Sequence, residues 1–138
     1  MIKIWVDGSC RDNGGKNALA GIGMIARKDD KNLFSIGRIV KGNTNNIAEY
    51  YAVIHVLREL RPYNREDIII YSDSSLVVNQ INGSWQIKND ELRKLRDAVN
   101  ILISKTPFRT IKFQWVPREK NKEANKIAQA ITNQKRGE

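Results

Sequence analysis

Residues 68–73 read Ile68-Ile69-Ile70-Tyr71-Ser72-Asp73, a short β-branched run that stops on a polar pair. A nearly uninterrupted apolar strand belongs in a sheet covered on both faces, where neither side of the pleat meets water. Parallel neighbours in such a sheet need helical connections, so the flanking sequence should supply helices. Upstream it does: Ile47, Tyr50, Tyr51, Ile54 and Leu57 recur at helical spacing, opened by Asn46 and Glu49 in the pattern of a capping box and closed near Pro62. Downstream, Leu76, Val77 and Ile81 predict a helix broken by Gly83, and a longer one carries Leu92, Leu95, Val99 and Leu102. Thr110 to Val116 reads as the last strand. Ala124, Ile127, Ala128 and Ile131 then set one apolar stripe on a closing helix, after which the basic run from Lys135 is expected to fray.

The first forty residues have a different period. Ile2, Ile4 and Val6 alternate with Lys3 and Trp5, and Asp7-Gly8 is read as the end of that strand. Strands at Ala20 to Ala26 and Leu33 to Val40, separated by the turn Lys28-Asp29-Asp30-Lys31, complete an antiparallel meander. The chain is therefore α/β. The expectation is a five-stranded mixed sheet, three antiparallel strands then two parallel, flanked by helices and forming a single domain over residues 1–138.

Composition narrows the function. A length of 138 residues suffices for a core without disulfides or structural metals. Cys10 is the one cysteine, so no intramolecular disulfide forms, and a reducing, cytoplasmic setting is expected. No stretch approaches the roughly 20 apolar residues of a membrane span, so no membrane partner is expected. Lys and Arg number 24 against 15 Asp and Glu, a net charge of +9, which points to a polyanionic partner.

In an open α/β sheet, ligands bind beyond the carboxyl ends of the parallel strands. Asp7 and Asp73 both end such strands, and Glu49 in the first turn of the first helix can face the same place. Singly, each has an ordinary reading: Glu49 completes a capping box, Asp73 caps a helix, Asp7 starts a turn. Jointly, three converging carboxylates require cations, and hard oxygen donors suit Mg²⁺ or Mn²⁺.

Four blocks carry a resemblance. Asp7-Gly8-Ser9-Cys10, Thr44-Asn45-Asn46-Ile47-Ala48-Glu49, Tyr71-Ser72-Asp73-Ser74, and Val116-Pro117-Arg118 running to Asn125 are similar in order and spacing to type 1 ribonuclease H, across nearly the whole chain. The resemblance implies a ribonuclease H-like fold and an endonuclease that cuts the RNA strand of RNA/DNA hybrids by two-metal-ion catalysis. It implies Asp7, Glu49, Asp73 and position 125 as catalytic and metal-binding residues. The family carries Asp at the fourth position, where this chain has Asn125, which can accept a hydrogen bond or ligate weakly but supplies no charge. Metal affinity or turnover should fall, which leaves a non-cleaving hybrid-binding module as the alternative. An engineered substrate trap and a natural variant both fit, and the intact remaining blocks favour the former.

By the same resemblance, Gly8, Ser9, Cys10, Asn13, Asn45, Asn46, Ser74 and Ser75 line the substrate site. A hybrid of arbitrary sequence is read by shape and 2′-hydroxyls, for which short polar side chains suit. The segment Asn82 to Asn89 replaces the basic protrusion of larger relatives. Trp85 is assigned to a deoxyribose, with core packing as its competing role, and Thr44, Lys88 and Asn89 to phosphates. Arg118, Lys120 and Lys122 are read as a solvated basic face. His55, the one histidine, follows Glu49 by six helical steps of about 100°, which turns it away and gives it a packing or surface role. A monomer is expected.

Overall fold

Alternating Ile2, Ile4 and Val6 bury one side of the first strand, and every residue from Ala20 to Ala26 is buried. The strands so defined pair into one sheet in a computed structural model that describes residues 1–135. The elements are β1 (Ile2–Arg11), β2 (Leu19–Lys28), β3 (Lys31–Val40), α1 (Asn45–Glu59), β4 (Asp67–Ser72), α2 (Ser75–Ile81), α3 (Asp90–Lys105), β5 (Thr110–Trp115) and α4 (Lys122–Lys135). The basic run beyond Lys135 lies outside the described residues.

The sheet order is β3-β2-β1-β4-β5, antiparallel from β3 to β1 and parallel from β1 to β5. This is the mixed five-stranded arrangement expected from the sequence. Asp29 and Asp30, at φ of 49° and 67°, make the two-residue turn between β2 and β3, where both central residues must be left-handed.

One expectation changes. Asp7-Gly8 does not end β1, which continues to Arg11 because β2 pairs with it throughout, Asp7 opposite Gly23 and Arg11 opposite Leu19. The parallel ladder with β4 does stop, at Trp5 opposite Tyr71. Asp7 thus lies where β1 has lost its parallel neighbour but keeps its antiparallel one.

α1 is buried on nearly all sides, from Ile47 to Leu57, because it lies between the sheet and α3. Its N-cap is Thr44, whose hydroxyl accepts from the Ile47 amide at 3.3 Å, so Asn46 and Glu49 do not form the capping box read from the sequence. α2 is capped by Ser74, not Asp73.

α4 occupies the opposite face and crosses β1, β2 and β3. Glycines let it approach closely. A Cβ on Gly23 would stand 2.3 Å from the Ala124 carbonyl oxygen, one on Gly21 2.7 Å from the Ala128 carbonyl oxygen, and one on Gly37 2.9 Å from the Ile127 side chain. Asn121, 1% exposed, anchors the entry to α4 by donating to the Val6 carbonyl at 2.8 Å, one residue before Asp7. No helix among the described residues is long and apolar enough to cross a membrane.

Candidate active site

Three separate elements bring their carboxylates together. Asp7 projects from β1 beyond the parallel ladder, Asp73 follows β4 on the neighbouring strand, and Glu49 stands in the first turns of α1. Each offers an oxygen within 4.8 Å of the others. Asp7 and Glu49 are both buried.

Glu49 is held by the Gly8 amide, which donates to its Oε1. The approach behind this bond is tight: a Cβ on Gly8 would lie 2.2 Å from the Ala48 carbonyl carbon. Glycine therefore sets the distance between β1 and α1. The Asp73 backbone carbonyl accepts from the Trp115 indole Nε1 at 3.1 Å, so the end of β5 fastens the loop after β4.

Burial and crowding act on the acids in the same direction. Burial, then the charge of Asp73, pushes Asp7 up from 3.8 to about 7, against the opposing influence of the Asn125 amide, its hydrogen bond with Glu49 and the Arg118 charge. Burial first and Asp7 second raise Glu49 well above the ordinary carboxylate range, partly offset by the Gly8 amide. Without a cation the cluster must hold protons near neutral pH. The donor set fits a hard divalent cation, because such an ion supplies the positive charge that the protons otherwise provide.

Asn125 reaches this cluster from the first turn of α4. Its Nδ2 donates to Asp7 Oδ2 at 3.0 Å. In this orientation it is a donor to the acid rather than an oxygen aimed at a cation. Gly8, Ser9, Asn45, Asn46 and Ser74 join the four residues around a cleft of about 300 Å³, with Arg118 and Gln129 on the α4 side. Neither Arg118 nor Gln129 is among the site residues that the sequence motifs point to. The helical step from Asn125 to Gln129 was available in the sequence, but its bearing depended on where α4 begins.

The other candidates spread over a wider surface. Asn13 Oδ1 accepts from the Asn45 amide at 2.7 Å, and Asn45 Oδ1 accepts from the Cys10 amide at 2.8 Å, locking the first loop to the α1 N-terminus. Cys10 enters this network through its backbone, while its side chain is buried beside Ala18, Ala20 and Ala48. Ser75 is exposed at the start of α2 and does not line the cleft. Thr44 and Asn89 share a trough with Asn13, Asn45 and Asn46, and each also caps a helix. Trp85 and Lys88 stand outside that trough; Trp85 is 48% exposed, which removes the core-packing role. His55 points elsewhere, its Nδ1 3.2 Å from Arg38 Nη1 and its ring edge-on to Tyr51.

A carboxylate cluster at the end of a β1–β4 parallel pair, with α1 on one face and α4 on the other, defines an RNase H-like domain. The chain belongs to the reverse transcriptase-like family, whose model matches residues 6–131. It is 33% identical over 129 residues, 92% of its length, to the bifunctional protein Rv2228c of Mycobacterium tuberculosis, of which it spans 34%. Among solved structures it is similar to RNase H1 from the halophilic archaeon Halobacterium salinarum, with a TM-score of 0.87 and 28% identity over 96% of this chain and 98% of that one. It is also similar to LC11-RNase H1 in complex with an RNA/DNA hybrid, with a TM-score of 0.85 and 27% identity over 94% of this chain and 95% of that one.

Proposed function

We propose that this chain is a divalent-cation-dependent endonuclease that hydrolyses the RNA strand of RNA/DNA hybrids. The observation that carries the reading is the convergence of Asp7, Glu49 and Asp73 within 4.8 Å, beside a wall of short amides. The ribonuclease H names of similar structures, one of them holding a hybrid, support it.

Asp7, Glu49 and Asp73 would hold two Mg²⁺ or Mn²⁺ ions, which when bound supply charge neutralisation at the phosphate and a water of lowered pKa. The chain's own residues do the rest. The Gly8 amide fixes Glu49, and the Trp115 indole fixes the backbone at Asp73, so both acids are oriented before substrate arrives. Asn45 and Asn46 in the cleft, with Asn13 in the adjoining trough, supply amide groups suited to 2′-hydroxyls along a minor groove, which selects a ribose strand without reading bases. Arg118, on the rim, offers a cation to the phosphate. The protein acts as a monomer in a reducing cytoplasm.

A second reading has its own observation. The Asn125 amide already donates to Asp7, occupying an oxygen that a cation would use and adding no charge. That arrangement favours a chain that holds hybrids and cuts them slowly. A labelled RNA/DNA hybrid incubated with Mg²⁺ separates the two. The nuclease reading expects cleavage of the RNA strand by the parent chain, at least tenfold faster in Asn125→Asp, with double-stranded DNA untouched. Tight hybrid binding with no cleavage by either protein would leave the binding module standing and sink the enzyme.

A further inference from the structure

The cleft around the three carboxylates is the middle of a longer trough. On one side it runs through Asn45 and Asn46 into a groove of about 410 Å³ lined also by Asn13, Thr44 and Asn89. On the other it passes Arg118, Asn125 and Gln129 into a groove of about 470 Å³ whose remaining walls are Lys122, Lys126 and Glu119. The two ends differ in chemistry. Short amides dominate the first, whereas three cations against one carboxylate line the second.

The basic end is built by helix periodicity. Lys122, Asn125, Lys126 and Gln129 are three and four residues apart and share one face of α4. The opposite face, with Ala124 and Ala128, is buried on the sheet. Glu123, the nearest acid in sequence to both lysines, is drawn away by Arg27, Nη2 to Oε2 at 2.8 Å. A polyanion entering the acidic centre meets repulsion there, and cations just beyond it offset that repulsion. Phosphate is the group every nucleotide presents whatever its base, so a cationic wall suits a site without sequence preference.

We propose that the α4 groove is a phosphodiester subsite, in which Arg118, Lys122 and Lys126 grip the backbone of the strand on the far side of the bond to be cut. This rests on the hybrid-cleaving reading above. The strand is then held on both sides of the acidic centre, by amides at one end and by one guanidinium and two ammonium groups at the other.

The test measures binding, using the full chain carrying Asp7→Asn to suppress cleavage. Anisotropy of a labelled hybrid of about 20 base pairs, titrated from low to moderate salt in Mg²⁺, gives the slope of log K against log salt. Each phosphate contact contributes roughly 0.9 to that slope. Adding Lys122→Gln and Lys126→Gln together should lower it by nearly 2, and adding Lys126→Glu alone by about 1 or more. Lys31→Gln with Lys105→Gln, exposed lysines at the opposite end of the sheet, serves as the control and should leave the slope unchanged. A slope identical in the α4 and control pairs overturns the subsite while leaving hybrid recognition intact. A parent that binds no hybrid sinks both proposals.

Discussion

Replacing Asp7 by a neutral isostere should make the metal-free protein more stable above neutral pH. Its carboxyl titrates at about 7 in the fold against 3.8 ordinarily, because it is buried beside Asp73. A raised acid contributes stability while protonated: that contribution is complete below pH 3.8 and is lost as pH rises through 7. The difference of about three pH units corresponds to roughly 4 kcal/mol, present at pH 4 and absent by pH 8. Asp7→Asn keeps an acceptor for the Asn125 amide and cannot ionise. In EDTA at pH 8 it should therefore melt above the parent, by on the order of 10 °C for a domain of this size. The gap should shrink steadily towards pH 5. Adding Mg²⁺ should narrow the gap at pH 8, since an ion at about 100 times its dissociation constant stabilises the parent by about 2.7 kcal/mol and the variant by less. Thermal melts at four pH values, with and without Mg²⁺, suffice. A variant that melts at or below the parent at pH 8 in EDTA, or a gap independent of pH, refutes the reasoning.

Gly23→Ala should cost about 1–3 kcal/mol in urea unfolding, because its Cβ meets the Ala124 carbonyl at 2.3 Å and α4 must lift. Gly37→Ala meets a side chain at 2.9 Å and should cost less; equal losses would discount the backbone clash. Gly8→Ala forces β1 and α1 apart where Glu49 is fastened, and hybrid cleavage should fall about 100-fold, as a displacement near 1 Å does. Trp115→Phe removes the donor to the Asp73 carbonyl. It should lose about 0.5–1.5 kcal/mol of stability and raise the Mg²⁺ concentration for half-maximal cleavage, with KM for hybrid unchanged. A raised KM instead would make Trp115 a substrate contact.

The sheet was legible because its two halves obey different periodicities: alternation in β1, and a continuous run at Ile68–Ile70. The convergence of Asp7 and Asp73 followed from placing both at the end of the same parallel pair. What misled was local chemistry. Asp7-Gly8 has the composition of a turn, yet β2 carries β1 four residues further, since an antiparallel ladder supplies hydrogen bonds that no single-strand pattern reveals. Glu49 fits a capping box, but its carboxylate takes the Gly8 amide 41 residues away, leaving Thr44 to cap the helix. Trp85 has no pattern at all around it, and only the fold exposes it. Arg118 and Gln129 were hidden for a related reason: their place in the cleft depends on how deeply α4 sits, which is decided by glycines a hundred residues earlier.

That seating has a cost in robustness. Gly21, Gly23 and Gly37 give α4 a floor without knobs, so a few polar contacts index the helix along its axis: the Asn121 anchor to Val6 where the chain enters it, then Glu123 to Arg27 and Asn125 to Asp7. One residue of slippage is about 1.5 Å. Asn125, Lys122 and Lys126 would travel together, misaligning the acidic centre and the cationic rail in a single stroke. Attempts to strengthen catalysis from the α4 side are therefore best begun under the helix, at the latch, rather than on the residues that face the cleft.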